Sequence, residues 1–158
     1  MVMRKLKAYR EVDPRFPKEV QVGIKTEPAP AGELVKEFML WGGHPVRDKP
    51  QLIEVQEHAK VMGWVYDELK ELLDARKADD LKEIADAFGD IVYFIYGLSW
   101  RYGVDLDQVV EEIHRSNMSK GDENGNPIFR ADNKIMKGPG YFPSDIEAVL
   151  VEQGWNAR

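Results

Sequence analysis

The fold is decided by two stretches, V-M-G-W-V-Y-D-E-L-K-E-L-L over residues 61–73 and L-K-E-I-A-D-A-F-G-D-I-V-Y-F-I-Y-G-L over residues 81–98. Both repeat apolar residues at helical spacing, and both carry carboxylates among them. The first holds Asp67, Glu68 and Glu71, the second Glu83, Asp86 and Asp90. Residues three and four apart share a helix face. Glu68 and Glu71 therefore point one way from the first helix, and Glu83, Asp86 and Asp90 one way from the second. The short Arg76–Asp79 connection predicts an antiparallel pair. Five or six acidic groups then meet in one place. Like charges crowded away from water are costly unless something positive lies between them. A divalent cation is the simplest compensation, and hard oxygen ligands suit Mg²⁺ or Mn²⁺.

Working outward, the first long helix is expected over Leu52–Ala75. The second runs from an Asp80 N-cap, with Glu83 at the capping-box position, to Trp100 or Tyr102, where Gly103 stops it. Asp105 caps a third helix in an Asp-x-x-Gln box with Gln108, and Val109, Val110 and Ile113 should face inward. Before these, Pro30–Trp41 reads as an amphipathic helix stopped by Gly42-Gly43, followed by a proline-bounded loop over 44–50. Residues 1–30 show no convincing period and are expected to form an arm, with 31–158 as a single domain. Met118–Pro143 is rich in glycine, proline and polar turn formers. Within it, 128–130 and 135–137 could pair as a small hairpin across the Ala131–Asn133 turn. Ser144-x-x-Glu147 reads as a capping box opening a short last helix that Gly154 ends. The expected class is all-α, an antiparallel helix bundle with an irregular or small β appendage.

A chain of 158 residues, 43% hydrophobic and 32% charged, suits one soluble domain with a core. No apolar run approaches the roughly 20 residues of a membrane span. The chain has no cysteine, so a metal site must use oxygen or histidine; a reducing cytoplasm is the expected setting. A net charge of −6 argues against a nucleic-acid binder. His44, His58 and His114 lack ligand spacing for zinc, and neither a P-loop nor a nucleophile elbow is present.

Each carboxylate also has a structural reading: Glu83 as cap partner of Asp80, and Glu68 and Glu71 as a solvated face beside Lys70 and Lys82. Asp86 and Asp90 resist it, because 84–95 is apolar on nearly every face and unpaired charge is seldom buried. Lys120, Lys134 and Lys137, gathered beside Asn117 and Tyr141, would make a phosphate or base clamp.

The pattern Glu68-x-x-Glu71 … Glu83-x-x-Asp86 resembles the metal motif of the all-α, MazG-like nucleoside triphosphate pyrophosphohydrolases, a group that includes phosphoribosyl-ATP pyrophosphohydrolase-like enzymes. Its company is more specific: F-M-L-W-G-G-H-P-V-R-D-K-P at 38–50, Ala85–Ala87 with Asp90–Tyr93 and Gly97, His114–Lys120, and Lys137–Tyr141. The resemblance spans about Glu33 to Leu150. It implies Mg²⁺-dependent hydrolysis of a nucleoside triphosphate to monophosphate and pyrophosphate, with Glu68, Glu71, Glu83 and Asp86 as metal ligands. Asp67 stands where the group commonly has glutamate, which leaves its role open between ligand and water-orienting base; Asp67, Glu68 and Glu83 are the catalytic candidates. Asp90, Asn117, Lys120, Lys134, Lys137, Tyr141, Trp41 and His44 are expected to contact substrate, with dUTP or dGTP favoured. A homodimer or dimer-based tetramer is implied, and the apolar excess over 91–98 agrees with it. The competing expectations are phosphoribosyl-ATP hydrolysis and a catalytically idle helical module that binds nucleotide or a partner.

Overall fold

A computed structural model describes residues 29–156, so the expected N-terminal arm lies almost wholly outside the described residues. Five helices follow in order: α1 (Ala31–Trp41), α2 (Val55–Lys77), α3 (Leu81–Tyr102), α4 (Leu106–Met118) and α5 (Ile146–Glu152). No strand ladder occurs among the described residues, and the fold is all-α as the helical spacing required. The expected hairpin is not formed. The chain bends back on itself, but only in isolated bridges, Gly121 with Pro127 and Phe129 with Ile135. Three-residue segments around tight turns offer too few backbone partners and too little side-chain burial to extend a ladder.

Local sequence explains the helix limits. The Asp80 carboxylate accepts from the Lys82 and Glu83 amides, and the Asp105 carboxylate accepts from the Asp107 amide. Both N-caps are therefore where the sequence placed them. Their reciprocal halves are not. Glu83 pairs with Lys82 instead of reaching back, and the Asp105 amide donates to Gln153 Oε1 at 3.0 Å. At α5 the cap is Asp145, which accepts from the Ala148 amide, and not Ser144. Four helices close with a left-handed residue, at Gly43, Asp79, Gly103 and Gly154. At Gly103 the need for glycine is double: φ is +72°, and a Cβ there would lie 2.1 Å from the Lys49 carbonyl oxygen.

α2 and α3 form an antiparallel hairpin, the most extensive helix contact in the fold. Cross-helix partners run in opposite directions: Glu57 with Arg101, His58 with Tyr102, Trp64 with Phe94. α1 crosses α3 through Val35, Met39 and Trp100, backed by Val46 and Tyr96. α4 is tied to the start of α1 by Asp107, which accepts from Tyr96 Oη at 2.6 Å and from the Gly32 amide at 3.3 Å. That bond, with burial, pushes the Tyr96 phenol up to about 12. α5 is held on α4 through Glu112, which accepts from the Asp145 amide at 2.7 Å.

Among the described residues much apolar surface is exposed. Val110 and Ile113 are 50% and 42% exposed rather than turned inward, and Phe88 and Val92 on α3 are 55% and 50% exposed. A 22-residue helix wrapped by apolar residues cannot bury every face against α1, α2 and the short contact with α4. For the same reason Asp86 and Asp90 are exposed in the chain, not buried as the greasy run implied.

Candidate functional site

The antiparallel register carries the carboxylates into one neighbourhood. One turn beyond the Trp64–Phe94 contact, Glu68 on α2 comes opposite Asp90 on α3; one further turn sets Glu71 near Asp86. Glu68 registers the crowding. Partial burial, and then the charges of Glu71, Asp90, Asp86 and Asp67, push its carboxyl above the ordinary value of 4.5. Among the described residues no ion pair or hydrogen bond reaches the side chains of Glu68, Glu71, Asp86 or Asp90. Asp67 lies at the edge, 3.6 Å from Lys70 Nζ. Glu83 stands apart, because the register sets it across from the buried Ala75 rather than from an acid; its carboxylate is engaged by Lys82.

No group of three acidic or imidazole side chains among the described residues is already convergent enough to hold a metal ion. The chemistry of the donor set nonetheless fits a hard cation: four carboxylates with no positive partner among the described residues, on side chains long enough to swing, around a carboxyl already burdened by its neighbours.

An apolar slot of about 60 Å³ opens one helical turn from this face. Phe38 and His44 on the α1 side, Trp64 on α2, and Tyr93, Phe94 and Arg101 on α3 line it. Trp64 stands four residues before Glu68 and Phe94 four after Asp90, about 6 Å along their helix axes. Phe38 meets Tyr93 edge to face at 5.6 Å. A wider groove of about 370 Å³ between α1 and α3, lined by Leu34, Phe88, Val92 and Tyr96, carries no charged side chain. The slot is the better ligand site, since it joins apolar walls to an imidazole and a guanidinium within reach of the acidic face.

His44 therefore sits at the slot, while Trp41 is 71% exposed at the end of α1, 5.9 Å from Phe38. The late-loop residues form a group of their own. Lys120 Nζ donates to Asn117 Oδ1 at 2.6 Å, and Lys137 lies 4.3 Å over the Tyr141 ring. Gly138 packs against Gly121, which holds the two loop ends together. Lys134 sits on the turn, its amide bonded to Asp132. α4, which carries this loop, touches α1, α3 and α5 but not α2. Among the described residues no hydrogen bond or ion pair joins the loop lysines to the acidic face.

A family model for phosphoribosyl-ATP pyrophosphohydrolase matches residues 35–117, just over half of the chain. The chain belongs to this family. The matched span contains the whole acidic face and the slot, and ends at Asn117, before the lysine-bearing loop. An uncharacterized protein of Acanthamoeba polyphaga mimivirus is 29% identical over 121 residues, covering 71% of this chain; the chain spans 44% of that relative's length. A crystal structure from Exiguobacterium sp. 255-15, described as a candidate NTP pyrophosphohydrolase, is 26% identical with a TM-score of 0.46, over 80% of this chain and 97% of the other.

One part of the site in this family member was not read from the sequence. Glu57 accepts from both guanidinium nitrogens of Arg47, at 3.3 and 3.0 Å, and from Arg101 at 3.2 Å. These bonds, the Arg47 one foremost, hold its carboxyl below 4.5 against the opposing effect of burial. Arg47 also donates to the Arg101 carbonyl, and its amide to the Trp100 carbonyl at 3.0 Å. The loop over 44–50 is thereby strapped to the carbonyl end of α3, where a cation is favoured by the helix dipole. Arg101, 8% exposed, turns its other nitrogen to His44 Nδ1 at 3.4 Å. The signal that could have found it was an arginine inside an apolar helix end, which needs a buried acid.

Proposed function

We propose that the protein is a Mg²⁺-dependent nucleoside triphosphate pyrophosphohydrolase, cleaving the α–β bond to release a monophosphate and pyrophosphate. The observation that carries the reading is the juxtaposition of an unpartnered, crowded carboxylate face with an apolar, aromatic-lined slot one helical turn away. The face suits the polyphosphate only with cations between them, because a triphosphate and four carboxylates otherwise repel. The slot suits a base. Family membership supports hydrolysis of a nucleotide with loss of pyrophosphate.

Glu68, Glu71, Glu83 and Asp86 would hold Mg²⁺, with Mn²⁺ able to substitute, and the ion would neutralise phosphate charge and acidify water. For Glu83 this requires release from Lys82, an exchange of one exposed ion pair worth little. Hydrolysis forms a bond from water oxygen to phosphorus, breaks the α–β bridge and frees one proton. A carboxylate of Asp67, Glu68 or Glu83 left free of other partners would accept that proton. Lys120, Lys134 and Lys137, with Asn117 and Tyr141, would clamp phosphate or base. Since no hydrogen bond or ion pair among the described residues ties them to the acidic face within one chain, the reading places them over a neighbouring subunit's site in a homodimer or dimer-based tetramer. The bare apolar faces of α3 and α4 support that assembly.

Phosphoribosyl-ATP hydrolysis is the second reading, favoured by the substrate for which the matched family model is named. Steady-state hydrolysis should be measured over ribo- and deoxynucleoside triphosphates and phosphoribosyl-ATP, with Mg²⁺, Mn²⁺ or EDTA, for wild type and Glu83→Gln. Metal-dependent turnover of a triphosphate, lost in the variant, is expected. Turnover confined to phosphoribosyl-ATP would replace the substrate. Binding without any turnover would mark an idle module.

A further inference from the structure

The 23-residue α2 has one helical neighbour: among the described residues it touches α3 and no other helix. Its buried side chains Val61, Val65 and Ala75 lie on the inward face. About a third of a turn away runs a second apolar stripe: Val55, Ala59, Met62, Tyr66, Leu69 and Leu73. Its steps alternate between four and three residues, the spacing of a helix that packs along its length against another helix. Nothing among the described residues covers it. Its large side chains range from 37% exposed at Met62 to 76% at Val55, and Ala59 is exposed too. Gly63 stands beside the midpoint of the stripe. Glycine inside a helix weakens it relative to alanine. Here it is not required by a positive φ, and a Cβ would meet nothing within 4 Å among the described residues. What glycine provides at such a place is room for a second backbone to come close.

We propose that the α2 stripe is a self-association face, on which two copies of the chain pair antiparallel about a two-fold axis beside Gly63. Reversing α2 about position 64 sets Val55 against Leu73, Ala59 against Leu69 and Met62 against Tyr66. Each layer then joins a smaller side chain to a larger one, and the face is complementary to itself. A parallel pair would set Ala59 on Ala59 and Tyr66 on Tyr66, leaving a gap in one layer and crowding another. On the Gly63 side of the seam, reversal brings Lys70 opposite the partner's Gln56 rather than a second cation. The stripe itself carries no charge, while Lys60, Asp67 and Lys70 beside it form a polar rim. It offers on the order of 500 Å² of apolar surface per copy, about 1,000 Å² over the pair, the size at which a specific interface forms. The bare face of α3 and α4 is separate and already serves the assembly of the proposed reading. Two self-complementary faces on one chain close into a tetramer with crossed two-fold axes. The inference rests on that assembly and decides its order: four copies, not two.

Two measurements test this. Gel filtration with light scattering on the full 18.1 kDa chain should give a tetramer. Tyr66→Glu and Leu69→Glu should each halve that mass, with helix content by circular dichroism unchanged. A wild type of one or two copies, or a mass unmoved in both variants, would overturn the proposal. Should either variant lose helix, the second measurement decides. The chain has no cysteine, so a single introduced cysteine reports the geometry without background. Gly63→Cys should be joined to a second copy by a short bis-maleimide. Leu73→Cys should not, because an antiparallel pair holds the two copies of residue 73 about 27 Å apart, the rise of the 18 residues from 55 to 73. Linkage at 73 would mean a parallel pair and defeat the inference. A cysteine at 63 that neither links nor reacts readily with a monomaleimide would mean that another segment of the chain covers the stripe, and would defeat it too. None of these results depends on nucleotide turnover, so their failure leaves the pyrophosphohydrolase chemistry standing, and absence of turnover leaves the pairing standing.

Discussion

Glu57→Gln tests the strap that holds the slot together. The wild-type carboxylate accepts three hydrogen bonds from two guanidiniums, with side chains only 20% exposed for Glu57, 27% for Arg47 and 10% for Arg101. Glutamine keeps the shape but removes the charge between two cations and turns an amide donor toward one of them. Removing one partner of a buried pair costs about 3–5 kcal/mol, and partial exposure lowers this to about 2–4 kcal/mol. For a chain of this size each kcal/mol moves Tm by about 2–4 °C, so a fall of roughly 5–15 °C is expected by calorimetry near neutral pH. The pH dependence gives a sharper check. The folded Glu57 carboxyl titrates below its unfolded value of 4.5, so its stabilisation is present above that value and fades as pH falls through the folded one. The gap between wild type and variant should therefore narrow below pH 4.5. A gap under about 0.5 kcal/mol near neutrality, or one unchanged on acidification, would refute the reasoning.

Gly103→Ala should destabilise by about 3 kcal/mol or more in a denaturant melt, since it combines a left-handed φ of +72° with a Cβ 2.1 Å from the Lys49 carbonyl oxygen; a cost below about 1 kcal/mol would mean the loop yields freely. Glu68→Gln should raise Tm in EDTA by relieving the crowding on that carboxyl, while added Mg²⁺ should raise Tm in wild type and hardly in the variant. A lowered Tm in EDTA would show that the acidic face is stabilising as it stands. Glu112, whose carboxyl is held down to about 2 by Arg115 and by the Asp145 amide, anchors the last helix. Glu112→Gln should speed amide exchange at Asp145–Ala148, and that effect should shrink in acid as the wild-type carboxyl protonates through about 2.

The parts of the fold legible in the sequence were those set by neighbours along the chain. Asp80, Gly103 and Asp105 act on amides and carbonyls within a turn, so their identities alone placed the limits of α3 and the start of α4. Glu68, Glu71, Asp86 and Asp90 were legible as one group because helix period and a short connection together fix the register. Glu83 was less so, since the register that gathers the others sets it across from Ala75. The Glu57 network was not read: its arginines lie 10 and 44 residues away, so even the arginine at the apolar end of α3 did not name the acid that it needs. Ser144 and Asp145 are adjacent N-cap formers, and the choice between them was made by the distant Glu112. Val110 and Ile113 were read as core because their spacing is that of a buried stripe; spacing says that a face is apolar, not which chain covers it.

The most direct measurement is the identity of the products, by ³¹P NMR of a triphosphate incubated with wild type and Mg²⁺. Monophosphate and pyrophosphate in equal amounts, absent with EDTA and with Glu68→Gln, are predicted. Diphosphate and orthophosphate, or hydrolysis that persists without metal or without the Glu68 carboxylate, would contradict the account.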